Sequence, residues 1–70
     1  MNFIKLPNGS YIRIDQIIAV RVHAAIGGVP ETRLPDRVMV DLDSHRYERC
    51  DCASAKDAER LADWIVDKIS

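Results

Sequence analysis

The sequence predicts an α+β domain, a small antiparallel sheet of five strands with one C-terminal helix packed on it. Three observations carry that reading. Apolar and polar residues alternate in short runs as far as Cys52, the period of a half-buried strand. Groups of turn-forming residues separate the runs. After Ser54 the apolar spacing changes to that of a helix. A chain of 70 residues is a single domain, with the sheet over 2–52 and the helix over 54–69.

Phe3-Ile4-Lys5-Leu6 is short and rich in strand formers, and Pro7-Asn8-Gly9 ends it. Asn-Gly is expected to supply two positive-φ positions of a tight hairpin turn, and proline is excluded from a central strand. Ser10-Tyr11-Ile12-Arg13-Ile14 alternates, which sets Ile12 and Ile14 inward and Tyr11 and Arg13 outward. Asp15-Gln16 reads as a turn. Ile17 to Ala25 is the third strand, with Ile18, Val20, Val22 and Ala24 on one face and Ala19, Arg21 and His23 on the other. Its β-branched residues argue against a helix. Gly27-Gly28, Pro30 and Pro35 make Ile26 to Asp36 the longest loop, a place where compact domains often carry binding. Gly27-Gly28 lacks the spacing, the lysine and the following helix of a phosphate-binding loop.

Arg37 to Leu42 alternates again, with Val38, Val40 and Leu42 inward. Asp43-Ser44-His45 turns the chain, and Arg46 to Cys50 forms the fifth strand. Ser54 is suited to cap a helix, with Asp57 three residues on as a weaker form of the capping box. Ala58, Leu61, Ala62, Ile65 and Ile69 then fall on one stripe, which a one-sided sheet needs as a cover. The predicted core is Ile4, Leu6, Ile12, Ile14, Ile17, Val20, Val22, Val38, Val40, Leu42, Leu61, Ala62, Ile65 and Ile69. The pattern leaves the side of Tyr47 open.

Hydrophobic residues make up 47% and charged residues 30% of the chain, an ordinary globular balance. Ten basic and eleven acidic residues leave a charge of −1, so no strong overall field draws the chain to nucleic acid or to an anionic membrane. Met1-Asn2-Phe3-Ile4-Lys5-Leu6 has no long apolar run behind a basic start. Neither a secretory leader nor a membrane span is expected, and a cytoplasmic protein with reduced cysteines is.

Cys50-Asp51-Cys52 places two thiols on one side of a strand. A zinc site needs four ligands, and structural sites space their cysteines by two to four residues. Packing as small hydrophobes is therefore the expectation, with no metal and no cofactor. Asp41, Asp43 and His45 alternate along a strand end and could serve acid–base chemistry. Nothing else in the chain supplies a nucleophile, and a solvated turn accounts for them, so no enzyme is expected.

Seven of the ten basic residues are arginine. Arg13, Arg21 and Arg37, with Tyr11 and nearby His23 and Lys5, could form a sheet face that holds phosphates and stacks bases. Asp41, Glu48 and Asp51 on the later strands could neutralise it. Phe3 and Met39 point away from the core by parity, and Trp64 lies off the centre of the helix stripe. Spare apolar surface on a small chain points to a protein partner or a second copy.

Leu6-Pro7-Asn8-Gly9, with Pro35-Asp36-Arg37-Val38, resembles the layout of the small FlbD-type flagellar proteins. The Gly-Pro loop and the capped helix carrying Trp64 depart from that layout, and no flagellar role is carried over. In size the chain resembles small accessory proteins of bacteria and phages. The expectation is a non-catalytic module binding a protein partner, as a homodimer, through Phe3, Met39 and Trp64. The alternative is a nucleic-acid-binding domain using Tyr11, Arg13, Arg21 and Arg37.

Overall fold

A computed structural model describes residues 2–26 and 34–70. Gly27-Gly28 and most of the loop assigned to Ile26–Asp36 lie outside the described residues. The architecture is the expected α+β arrangement of five antiparallel strands and a C-terminal helix. The strands are β1 (Phe3–Lys5), β2 (Tyr11–Arg13), β3 (Ile17–His23), β4 (Arg37–Leu42) and β5 (Tyr47–Asp51), and the helix is α1 (Ala55–Ile69). They divide into a two-stranded sheet, β1-β2, and a three-stranded sheet in the order β3-β4-β5. A 3₁₀ turn over Ile14–Gln16 joins the two.

The first hairpin forms as expected, but its turn differs. Gly9 N–H donates to Leu6 O (2.9 Å) and Leu6 N–H to Ser10 O (2.8 Å), which makes a three-residue loop. Only Gly9 has a positive φ, +93°. Pro7 favours the preceding type I geometry, and this loop puts its left-handed position one residue after Asn8. The two consecutive left-handed residues lie instead in the β4–β5 turn, at Ser44 (φ 60°) and His45 (φ 61°).

β4 is the central strand, and its alternation is complete. Val38, Val40 and Leu42 are buried, while Arg37, Met39 and Asp41 face outward. β3 departs from simple alternation. Ile17 pairs with Leu42 and Ala19 with Asp41, so Ile18 is an extra residue in a bulge. The bulge lets Ile17 and Val20 both pack on the core, and Ile18 is left 69% exposed. Two further expectations about the core are corrected. Val22 is 45% exposed, because β3 is a sheet edge, and Ile69 is exposed at the last turn of the helix.

Ser54 caps α1, its Oγ accepting from Asp57 N–H at 3.2 Å. Ala58 and Ile65 are the fully buried helix residues, with Leu61 and Ala62 packed beside them. The helix lies against β3, β4 and the 3₁₀ turn. Ile4, Leu6 and Ile12 of the first hairpin complete the same core, and Cys50 closes it from β5. One polar clasp ties the two sheets. Asn8 Nδ2 donates to Arg49 O (3.0 Å) and Glu48 Oε1 (3.2 Å), while its Oδ1 accepts from Ser10 N–H (2.9 Å).

Candidate functional site

The split into two sheets separates the side chains that the sequence groups together. On the first hairpin, Phe3 stands opposite Arg13 and Lys5 opposite Tyr11. Parity with buried Ile4 and Ile12 turns all four outward, and Phe3 is 52% exposed. Lys5 Nζ lies 5.6 Å from the centre of the Tyr11 ring. Trp64, 40% exposed, lines a shallow groove of about 390 Å³ with Lys5, Leu6, Pro7 and Leu61. Lys68 Nζ sits 5.8 Å from its ring centre. Trp64 therefore neither disappears into the core nor stands alone. It walls an apolar groove between α1 and the first hairpin, with Lys5 in the groove lining and Lys68 near its ring.

Met39 belongs to a different surface, the outer face of the three-stranded sheet. The register sets Ala19, Asp41 and Tyr47 in one row, Arg21, Met39 and Arg49 in the next, and His23, Arg37 and Asp51 in the third. Met39 is half-buried between two arginines, whose aliphatic stems can cover it while the guanidinium groups stay in water. Phe3, Met39 and Trp64 are thus not brought together.

The outer face is charge-compensated in detail. Arg21 holds Asp41 through both Nε (3.0 Å) and Nη2 (3.0 Å). Arg49 holds Asp51 in the same forked way, at 3.1 and 3.3 Å. Arg37 Nη1 donates to Pro35 O at 3.2 Å, and among the described residues it pairs with no carboxylate. Arg13 pairs with Asp15 at 2.8 Å on the other sheet. Asp41 neutralises Arg21, as expected, whereas Asp51 pairs with Arg49, outside the expected set. Glu48 faces inward beside Val40 and bonds Asn8 instead. Arg49 and Tyr47 extend this face and were not picked out from the sequence. The signal was the parity of Tyr47-Glu48-Arg49-Cys50-Asp51 once Cys50 is set inward.

Asp41 and His45 both line a hollow of about 360 Å³ with Ile18 and Tyr47, but Asp41 is held by Arg21 and Asp43 by Arg46 at 3.5 Å. Cys50 is buried, and Cys52 Sγ contacts Cys50 O at 3.6 Å. Burial pushes both thiols above their ordinary pKa, and for Cys52 the nearby Asp57 carboxylate adds to it. Both are therefore neutral, weakly reactive thiols near pH 7. Among the described residues no three His, Cys, Asp or Glu side chains cluster as a metal-ligand set.

No protein-family model matches the chain, and neither does any curated protein or solved structure. Among the described residues no helix is long and apolar enough to cross a membrane.

Proposed function

We propose that the chain is a small non-catalytic interaction module that binds a protein partner and self-associates as a homodimer. The observation that carries this reading is the Trp64 groove. Tryptophan beside leucine and proline in a shallow apolar hollow has the composition of an interface anchor, and flanking lysines supply a polar rim. Exposed Phe3 stands on the same outer hairpin face as Lys5, which lines that groove. A cytoplasmic location is part of the proposal, and two free, neutral thiols support it.

The test joins sedimentation of the purified chain to affinity capture by the wild type and by Trp64→Ala. Loss of specific captured proteins on Trp64→Ala supports the reading. A strictly monomeric chain whose captured proteins are unchanged by that substitution refutes it.

A second reading is nucleic-acid binding by the outer sheet face. It is favoured by Arg21 and Arg49 flanking Met39 on one outer face, with Arg37 in the next row and Tyr47 beside Arg49 along β5. It narrows the sequence-based set, since Tyr11 and Arg13 belong to the other sheet. Affinity for single strands that falls steeply with salt and is lost in Arg37→Ala supports it, and no binding even at low salt removes it.

A further inference from the structure

We propose that the chain self-associates through the free edge of β3, which pairs antiparallel with β3 of a second copy about a two-fold axis at Val20. This rests on the self-association in the reading above and names the surface that performs it.

The two edges of the three-stranded sheet are treated differently. The β5 edge is blunted. It has five residues, three of them charged (Glu48, Arg49 and Asp51), and Asn8 occupies Arg49 O. Short length, charge and cover are the usual means of protecting an edge. β3 is less protected, with its bulge confined to the Ile18 end. It is seven residues long, Ile-Ile-Ala-Val-Arg-Val-His, with one formal charge. Among the described residues its only strand neighbour is β4, and apart from Ile17 N–H, which donates to Ile14 O, no backbone bond outside the ladders reaches the strand.

The core also opens at this edge. Val22, Val38 and Cys50 form one row on the inner face. Val38 and Cys50 are buried, and Val22 is the member left 45% exposed. A strand added beside β3 would continue the row and cover it.

The chain supplies a strand that fits. Only a register centred on a residue keeps inner face against inner face in a two-fold antiparallel pair. Centred on Val20, Val20 meets its own copy and Ala19 lies opposite Arg21 of the second copy. Val22 comes beside the Ile17–Ile18 end. Each Arg21 keeps its own Asp41. An axis one residue later would set arginine against arginine, and like charges directly opposite are destabilising. The product is a continuous six-stranded sheet whose two outer edges are both β5, so growth stops at two copies.

The test is sedimentation equilibrium of the full chain and of Val22→Lys, with circular dichroism to verify that each is folded. Because Val22 is exposed in the single chain, Val22→Lys is expected to fold and to weaken the dimer about tenfold. Isotope-filtered nuclear Overhauser spectra on a mixed labelled and unlabelled sample are expected to show intermolecular contacts at Val20. A dimer that Val22→Lys leaves unchanged, with no such contact, overturns the β3 interface while self-association stands. A wild-type chain monomeric at millimolar concentration overturns both. Should Val22→Lys fail to fold, the Overhauser contact alone decides.

Discussion

The clasp at Asn8 offers a measurable test of how the two sheets are joined. Asn8→Ala removes three hydrogen bonds, to Ser10 N–H, Arg49 O and Glu48 Oε1. Asn8→Asp keeps the acceptor for Ser10 but loses both donor bonds, and sets a carboxylate against a carbonyl and Glu48. A neutral hydrogen bond is worth about 0.5–1.5 kcal/mol net, and these are solvent-exposed, so the low end applies. The expected cost is about 2 kcal/mol for Asn8→Ala. For Asn8→Asp a similar figure follows, because repulsion replaces the donor bonds while the turn bond survives. A domain of 70 residues has a total stability of roughly 4–10 kcal/mol. Each kilocalorie moves the melting point of so small a domain by about 4–8 °C. Thermal unfolding followed by circular dichroism should therefore register a drop of about 8–16 °C for each variant. If Asn8→Asp melts with the wild type, the contact between the first hairpin and β5 contributes nothing, and the sheets are joined by apolar packing alone.

Ile65→Ala should cost about 3 kcal/mol in urea unfolding, since Ile65 is fully buried. Val66→Ala on the exposed side of the same helix should cost less than about 0.5 kcal/mol, and equal losses would mean the helix docks by another stripe. Ser54→Ala should cost about 1 kcal/mol through loss of the cap on Asp57 N–H, read from the same urea midpoint. The buried Cys50 thiol has a raised pKa, so the unfolded chain loses its proton first as pH climbs. Stability is then present below the ordinary thiol range and falls as pH rises through it toward the raised value. Cys50→Ala should flatten that alkaline decline relative to the wild type, and an unchanged slope would remove Cys50 as its source.

The parts of the fold legible in the sequence were those governed by local periodicity. Val38, Val40 and Leu42 alternate without interruption, and the helix stripe with its Ser54 cap needs no distant information. What escaped depends on long-range pairing. The bulge at Ile18 comes from fitting β3 to β4 while Ile17 and Val20 both reach the core. Strict alternation cannot express that. The separation of Arg13 from Arg21 and Arg37 follows from the 3₁₀ turn at Ile14–Gln16, which turns the chain from one sheet into another. The groove at Trp64 arises only when α1 meets Leu6 and Pro7, residues more than 50 positions away in the chain.

Among the described residues every strand pairing joins sequence neighbours: β1 with β2, β3 with β4, β4 with β5. The β1–β2 and β4–β5 ladders close by short turns, at little entropic cost, while β3 and β4 are joined by the longer connection over 24–36. The contact between Asn8 and Arg49 instead spans 41 positions. Assembly therefore has a natural order, in which the two sheets zip separately and the docking of the first hairpin and the helix onto the second sheet is the late event. Unfolding should begin where that order ends, with the first hairpin swinging off β5 before either ladder opens.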